Sequence, residues 1–179
     1  MVDSTRSIVA TGQEIVAGMP LALDGTVTAA DIGKLKSTAT SGDIFYGASS
    51  SNVNRLYGQT TLGEFQAIRG NAELQGIYSV RKSVFLDANG EEVTINPFED
   101  GVWDGGADFP QPNDVGTILA AKLVTVEAEL GAGSHLKWTP STGATGNGFD
   151  AVAVIVDVRG DDEEVDIMLP NVLVAFGAF

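Results

Sequence analysis

The sequence predicts an all-β fold, a small β-barrel or β-sandwich with few short helical turns, and three observations predict it. Glycine is frequent, 22 of 179 residues, and it falls between short apolar pieces, as turns between short strands require. Those pieces favour β-branched residues, as in Ala151–Val158 (AVAVIVDV), which suit a pleated, half-buried surface. Where apolar residues alternate, the period is two: Val165, Ile167 and Leu169 are interleaved with Glu164, Asp166 and Met168. A β-branched run, a polar turn at Arg159–Asp162 and a period-two run make a β-hairpin over Ala151–Leu169, the first strand buried on both faces and the second on one.

Taken in order, Met1–Arg6 is polar and reads as a loose arm, and Ser7–Ala10 as a short strand. Strands follow at Glu14–Val16, Pro20–Leu23 and Thr26–Thr28, with Asp24-Gly25 as a tight turn and one helical turn over Ala29–Leu35. Ile44–Ala48 (IFYGA) is a buried strand, Ser49–Thr61 a long polar loop, and Glu64–Ile68 a strand. Gln75–Leu86 and Glu92–Ile95 form a hairpin around Asn89-Gly90. Tyr78, Val80, Val84 and Leu86 share its apolar face, and Lys82 interrupts it. Pro97–Asn113, with three prolines and four acids, is an ordered excursion or an interface loop. Thr117–Leu130 divides between helix and strand, and Val124, Thr125 and Val126 decide for strand. Leu136–Thr139 and Val172–Phe176 are the remaining strands.

The chain therefore divides into an N-terminal arm and first strand (1–11), a first β half (12–96), an irregular connecting loop (97–116) and a second β half packed on the first (117–179). A weak internal repeat reads either as two similar halves or as chance plus the shared grammar of glycine-bounded short strands. Ala17–Leu23 lines up with Ala132–Trp138, and Glu64–Asn71 with Glu164–Asn171, in the same order but with different spacing.

Composition narrows the function classes. At 44% hydrophobic residues and a mean hydropathy of +0.12 the chain can bury a core. A net charge of −14, from 24 acids and 10 bases, repels nucleic acid and offers no basic amphipathic helix to a membrane. No apolar run is long enough to span a bilayer as a helix, and Met1–Gly12 lacks the apolar core of a signal peptide. Only five lysines accompany 14 aspartates, a balance that suits solubility at high salt as well as it suits an ordinary acidic protein.

No set of catalytic residues is spelled out, and the expectation is a non-enzyme without cofactor or metal. His135 is the one histidine and stands outside any nucleophile-elbow pattern, so it reads as a surface or rim residue. Zinc lacks its His and Cys ligands, since cysteine is absent. The acids of Glu99–Asp108 and Asp161–Asp166 lack the EF-hand spacing. Asp104, Asp108 and Asp114 are the best trio for Ca²⁺ or Mg²⁺, and solvated surface charge is the simpler reading. Gly143–Gly148 (GATGNG) has glycines but no Lys-Ser/Thr to hold a phosphate. Arg159-Gly160-Asp161 spells an integrin tripeptide in what should be a hairpin turn. Trp138 and Phe176 read as core. Trp103, Phe109 and Phe179 read equally as core or interface, and with Met1, Val2 and Asp3 they are the contact candidates.

The order glycine, short strand, Ala-Gly, Leu-x-Leu, Asp-Gly in Gly12–Gly25, with the closing hairpin Ala151–Leu169, resembles the capsid-decoration (cement) proteins of tailed viruses. The likeness covers about two-thirds of the chain, omits Val93–Pro112, and is one of strand grammar without a signature residue. It implies a non-enzymatic virion protein, made in the host cytoplasm, that sits on the outside of an icosahedral head. A homotrimer bound to the major capsid protein would be its form, and the acidic composition fits a haloarchaeal host. Another virion part (turret, head-fibre or tail-tube subunit) and a carbohydrate-binding β-sandwich, with Trp103 and Trp138 stacking on sugar, are the alternatives. On the virion reading, the arm Met1–Ser7 and the loops at Ser49–Thr61 and Pro97–Asn113 make the lattice contacts.

Overall fold

A computed structural model of the chain describes residues 3–8, 15–25, 35–49, 64–69, 76–86, 89–126, 133–144, 146–160, 164–169 and 177. Twelve strands run through it: β1 (Asp3–Ile8), β2 (Pro20–Leu23), β3 (Leu35–Lys36), β4 (Ile44–Ser49), β5 (Glu64–Arg69), β6 (Gly76–Arg81), β7 (Ser83–Leu86), β8 (Glu92–Ile95), β9 (Ile118–Val126), β10 (Gly133–Pro140), β11 (Gly148–Arg159) and β12 (Glu164–Leu169). The only helical elements among the described residues are two 3₁₀ turns, Asp104–Gly106 and Pro112–Asp114. The fold is all-β, and its sheets are open, as in a sandwich.

Two five-stranded antiparallel sheets face one another. Sheet one is ordered β3-β2-β4-β5-β1 and sheet two β10-β9-β11-β12-β6, with β7 and β8 as a separate hairpin. The two orders are one plan. Read in chain order, each sheet lays down an edge strand first (β1, β6), then the second position and its outer neighbour (β2-β3, β9-β10), then the two strands that close the gap (β4-β5, β11-β12). Both also carry an irregularity at the same junction, between Leu21 and Ala22 against β4 and between Phe149 and Ala153 against β9. The repeat of Glu64–Asn71 in Glu164–Asn171 coincides with this plan, because β5 and β12 hold the same position. Ala17–Leu23 and Ala132–Trp138 do not, since β2 and β10 hold different ones. β6 lies within the predicted first half yet pairs along its length with β12, Val80 opposite Val165 and Tyr78 opposite Ile167.

Among the described residues, most of the apolar burial lies between the sheets. Trp138, Phe149, Leu119, Leu136, Ile155, Val165 and Ile167 of sheet two meet Ala22, Phe45 and Ala48 of sheet one. The Phe45 ring stands edge-on to Trp138, centroids 6.1 Å apart, and is tilted on Phe149 at 6.0 Å. The expected face of β12 is the observed one, with Val165, Ile167 and Leu169 all buried. Ile15, Leu21 and Leu35 form a satellite cluster with Leu23 and Tyr46, and Val16, Met19 and Ile95 form another under the β8 strand.

Other expectations need correction. Asp3–Ile8 is an edge strand paired with β5, Asp3 opposite Arg69, and so is not a loose arm. Asp24-Gly25 is not a two-residue hairpin turn, because Leu23 pairs with Leu35 across a connection of eleven residues, and Leu35 is strand. The hairpin expected from Gln75 breaks at Lys82, where the chain passes from β6 in sheet two to β7 in the small hairpin. Met1, Val2, Phe179, Thr26–Thr28, Val172–Phe176 and nearly all of the Ser49–Thr61 loop lie outside the described residues.

Candidate functional site

Side chains that sequence marked for chemistry sit mostly in the interior. The sheets meet along a seam where β10 would otherwise expose its edge. There the Leu136 N–H donates to the Ser37 carbonyl (2.7 Å), the Trp138 N–H to the Pro97 carbonyl (2.9 Å) and the Glu99 N–H to the Trp138 carbonyl (2.8 Å). Covering an edge in this way removes a template for unwanted strand pairing. The Trp138 indole N–H donates across the sandwich to the Gly18 carbonyl (2.7 Å), and the Tyr78 hydroxyl donates to the Ser49 carbonyl (3.0 Å).

His135 belongs to this seam. It is buried, and its Nδ1 lies 3.2 Å from the Ser37 hydroxyl oxygen. The rim placement expected for it is corrected, because β10 is covered by the segment after β3. Burial first, and then the charge of Lys137, hold its imidazole below the ordinary value of 6.5. Ser37 is itself fully buried, so this serine–histidine pair faces packed protein.

Trp103 and Phe109 are core residues, at 3% and 5% exposure, and the contact role assigned to their rings has no surface to act through. Phe98 stands edge-on to both, with centroids 5.4 and 5.0 Å away, and the Trp103 indole N–H donates to the Glu99 carbonyl (2.7 Å). Asn96 organises the loop around them. Its amide donates to Asp100 (2.8 Å) and to the Asp108 carbonyl (2.6 Å), while its oxygen accepts from the Phe98 N–H (3.0 Å). Sequence signals for this burial were present in the aromatic spacing, but the prolines and acids around it read as exposed. Asp114 accepts from the backbone N–H groups of Gln111 (2.8 Å) and Asp104 (3.1 Å), and Asn113 donates to Asp104 (2.7 Å). These carboxylates tie turns together, and no cluster of three potential metal ligands occurs among the described residues.

The surface feature that sequence reasoning missed is the outer face of sheet two. Register places Ile118, Val154, Met168 and Ile77 directly opposite one another across β9, β11, β12 and β6. Opposed residues share a face, so these four make one apolar row across four strands. The row's two end residues, Ile118 and Ile77, are each 54% exposed. Beside it runs a polar row in which Ser79 donates to Asp166, then a charged one in which Glu164 is held by Arg81 and Arg159. Arg159 also reaches Asp166 and, at 3.4 Å, Asp157. Arg159 is therefore engaged by its own sheet, and Asp161 of the tripeptide lies outside the described residues. Hydrophobic alternation in single strands could not reveal this row, because it exists only once the register is known.

No protein-family model matches the chain, and no curated protein or solved structure is significantly similar to it.

Proposed function

We propose that this chain is a non-enzymatic virion structural protein that binds the outer surface of an icosahedral head and stabilises its lattice. In this reading it acts as a homotrimer on the major capsid protein, after synthesis in the host cytoplasm. The observation that carries the reading is the apolar row Ile77–Met168–Val154–Ile118 on a chain whose charge is otherwise −14. An exposed sheet face with an apolar stripe and internally paired charges fits a broad protein surface better than it fits a small molecule, which needs a concave site. The buried setting of the Ser37–His135 pair favours a structural role over catalysis. The sugar-binding alternative loses its motivating feature, since Trp103 and Trp138 are both buried and cannot stack on a ligand.

The test is co-sedimentation with purified, undecorated heads. Replacing Ile77 and Ile118 together by Asp should abolish binding while leaving the circular dichroism spectrum unchanged. Binding equal to that of the native chain would refute attachment through this face. Solution mass at low and high salt should report three chains per particle.

A further inference from the structure

At the end of sheet one, three ionisable side chains converge out of solvent. Lys36 lies opposite Ala22, which lies opposite Phe45, so Lys36 shares the face that looks into the sandwich. Its Nζ is 2.8 Å from Asp43 Oδ2 and 3.3 Å from Asp24 Oδ2. The Lys36 and Asp24 side chains are 10% and 8% exposed, and that of Asp43 is fully buried. Two backbone amides point at the same carboxylate. The Gly25 N–H donates to Asp43 Oδ1 (3.1 Å) and the Thr40 N–H to Oδ2 (2.6 Å), with the Thr40 hydroxyl 3.3 Å from Oδ2. Gly25 is required for this approach, since a Cβ there would stand 2.0 Å from the Gly42 carbonyl oxygen.

We propose that Lys36 and Asp43 condense into an intramolecular side-chain amide, with Asp24 as the base. The cluster supplies a nucleophile, an electrophilic carboxyl carbon, a second carboxylate on the nucleophile and an amide donor on the oxygen that takes up charge. Asp24 accepts a proton from the Lys36 ammonium, and the freed amine attacks Cγ of Asp43. Charge on Oδ1 is held by the Gly25 N–H. The C–Oδ2 bond then breaks, and Oδ2 leaves as water carrying two of the three ammonium protons, one of them by way of Asp24. The third proton stays on the new amide nitrogen. Asp24 ends ionised as it began, and nothing is oxidised or reduced. Fixed contact between the partners supplies the effective concentration that the bimolecular reaction lacks. The product replaces one cation and one anion in a water-poor site with a neutral amide. This inference depends on the cluster alone and stands apart from the virion reading.

Intact-mass measurement of the purified full chain decides it. The native chain should be lighter than its sequence by one water, and Lys36→Arg, which keeps the cation and the fold, should have its full sequence mass. Trypsin should fail to cut after Lys36 and release one peptide spanning residues 35–55, also lighter by one water. Asp24→Asn should emerge mostly uncondensed, and condensation equal to the native extent would remove Asp24 as the base. A native chain at full mass after prolonged incubation, an ion pair only, overturns the proposal. So does a water loss that maps to a succinimide at Asp24-Gly25, Asp100-Gly101 or Asp104-Gly105.

Discussion

Sheet one and sheet two lay down their strands in the same order, yet the described side chains of the two sheets do different work. In sheet two the long strands β9, β10 and β11 carry Trp138, Phe149, Leu119, Leu136 and Ile155 into the central core. Among the described side chains, Ala22, Phe45 and Ala48 of sheet one enter that core, while Leu21 and Leu35 join Ile15 in a satellite cluster. Sheet one also holds the buried Lys36–Asp24–Asp43 group on the side that looks into the sandwich, whereas sheet two gathers Arg81, Arg159, Glu164 and Asp166 on its outer face. A shared strand plan thus fixes neighbours and leaves the chemistry of each face free. Sheet two packs one face into the core and carries the apolar stripe on the other.

Substitutions can break that contrast. The largest effect is expected at Trp138, where Ala removes a fully buried indole, its contact with Phe45 and the bond to the Gly18 carbonyl. Chemical denaturation should show a loss of about 3–5 kcal/mol. Leu21→Ala, in the satellite cluster of sheet one, should cost about 2 kcal/mol, near the low end for a buried leucine. Equal losses at the two sites would show that the core is not concentrated between the sheets as described.

The loop that seals the β10 edge gives the next effect. Asn96→Ala strands the Phe98 N–H and the Asp108 carbonyl, at a cost of about 1–3 kcal/mol. Tryptophan fluorescence should shift to the red as Trp103 gains solvent. An unshifted spectrum would mean that Asn96 does not hold this loop closed.

The seam should also respond to pH. His135 has a folded value below its unfolded one, so the unfolded chain takes up a proton first as pH falls. Its contribution is therefore complete above the unfolded value of about 6.5 and declines as pH drops below it toward the folded value. In His135→Gln the melting temperature should lose this part of its pH dependence between neutral and mildly acid conditions. A slope identical to that of the native chain would remove His135 as its source. The smallest effect is expected at Ala151, which sits at the β11 irregularity with φ of 51°, a left-handed conformation that glycine tolerates better. Ala151→Gly should stabilise the chain by up to about 1 kcal/mol, and a loss of stability there would contradict the assigned strain.

Much of sheet two was legible because its signals are local. The hairpin of β11 and β12, the face of Val165, Ile167 and Leu169, and the strand character of β9 all follow from period and β-branching within a few residues. In sheet one β2, β4 and β5 were legible for the same reason. What could not be read was pairing between distant segments. Nothing in Gly76–Arg81 announces β12 as its partner, and Asp3–Ile8 is too polar to look like a strand until β5 lies beside it. The aromatic cluster of Phe98, Trp103 and Phe109 was hidden by the prolines and acids that shape its loop. His135 looked exposed because it alternates with the core residues Leu136 and Trp138 and so lies on the opposite face, although the segment after β3 covers it in space. The apolar row of the outer face was unreadable in principle from single strands, since it needs three registers at once.

Electron cryomicroscopy of heads incubated with the purified chain is the deciding measurement. Decoration through this face should give trimeric density on the outer head surface, with β9, β11, β12 and β6 turned toward the major capsid protein and Ile77 and Ile118 at the contact. Bare heads, or density in which that face points to solvent, would contradict it.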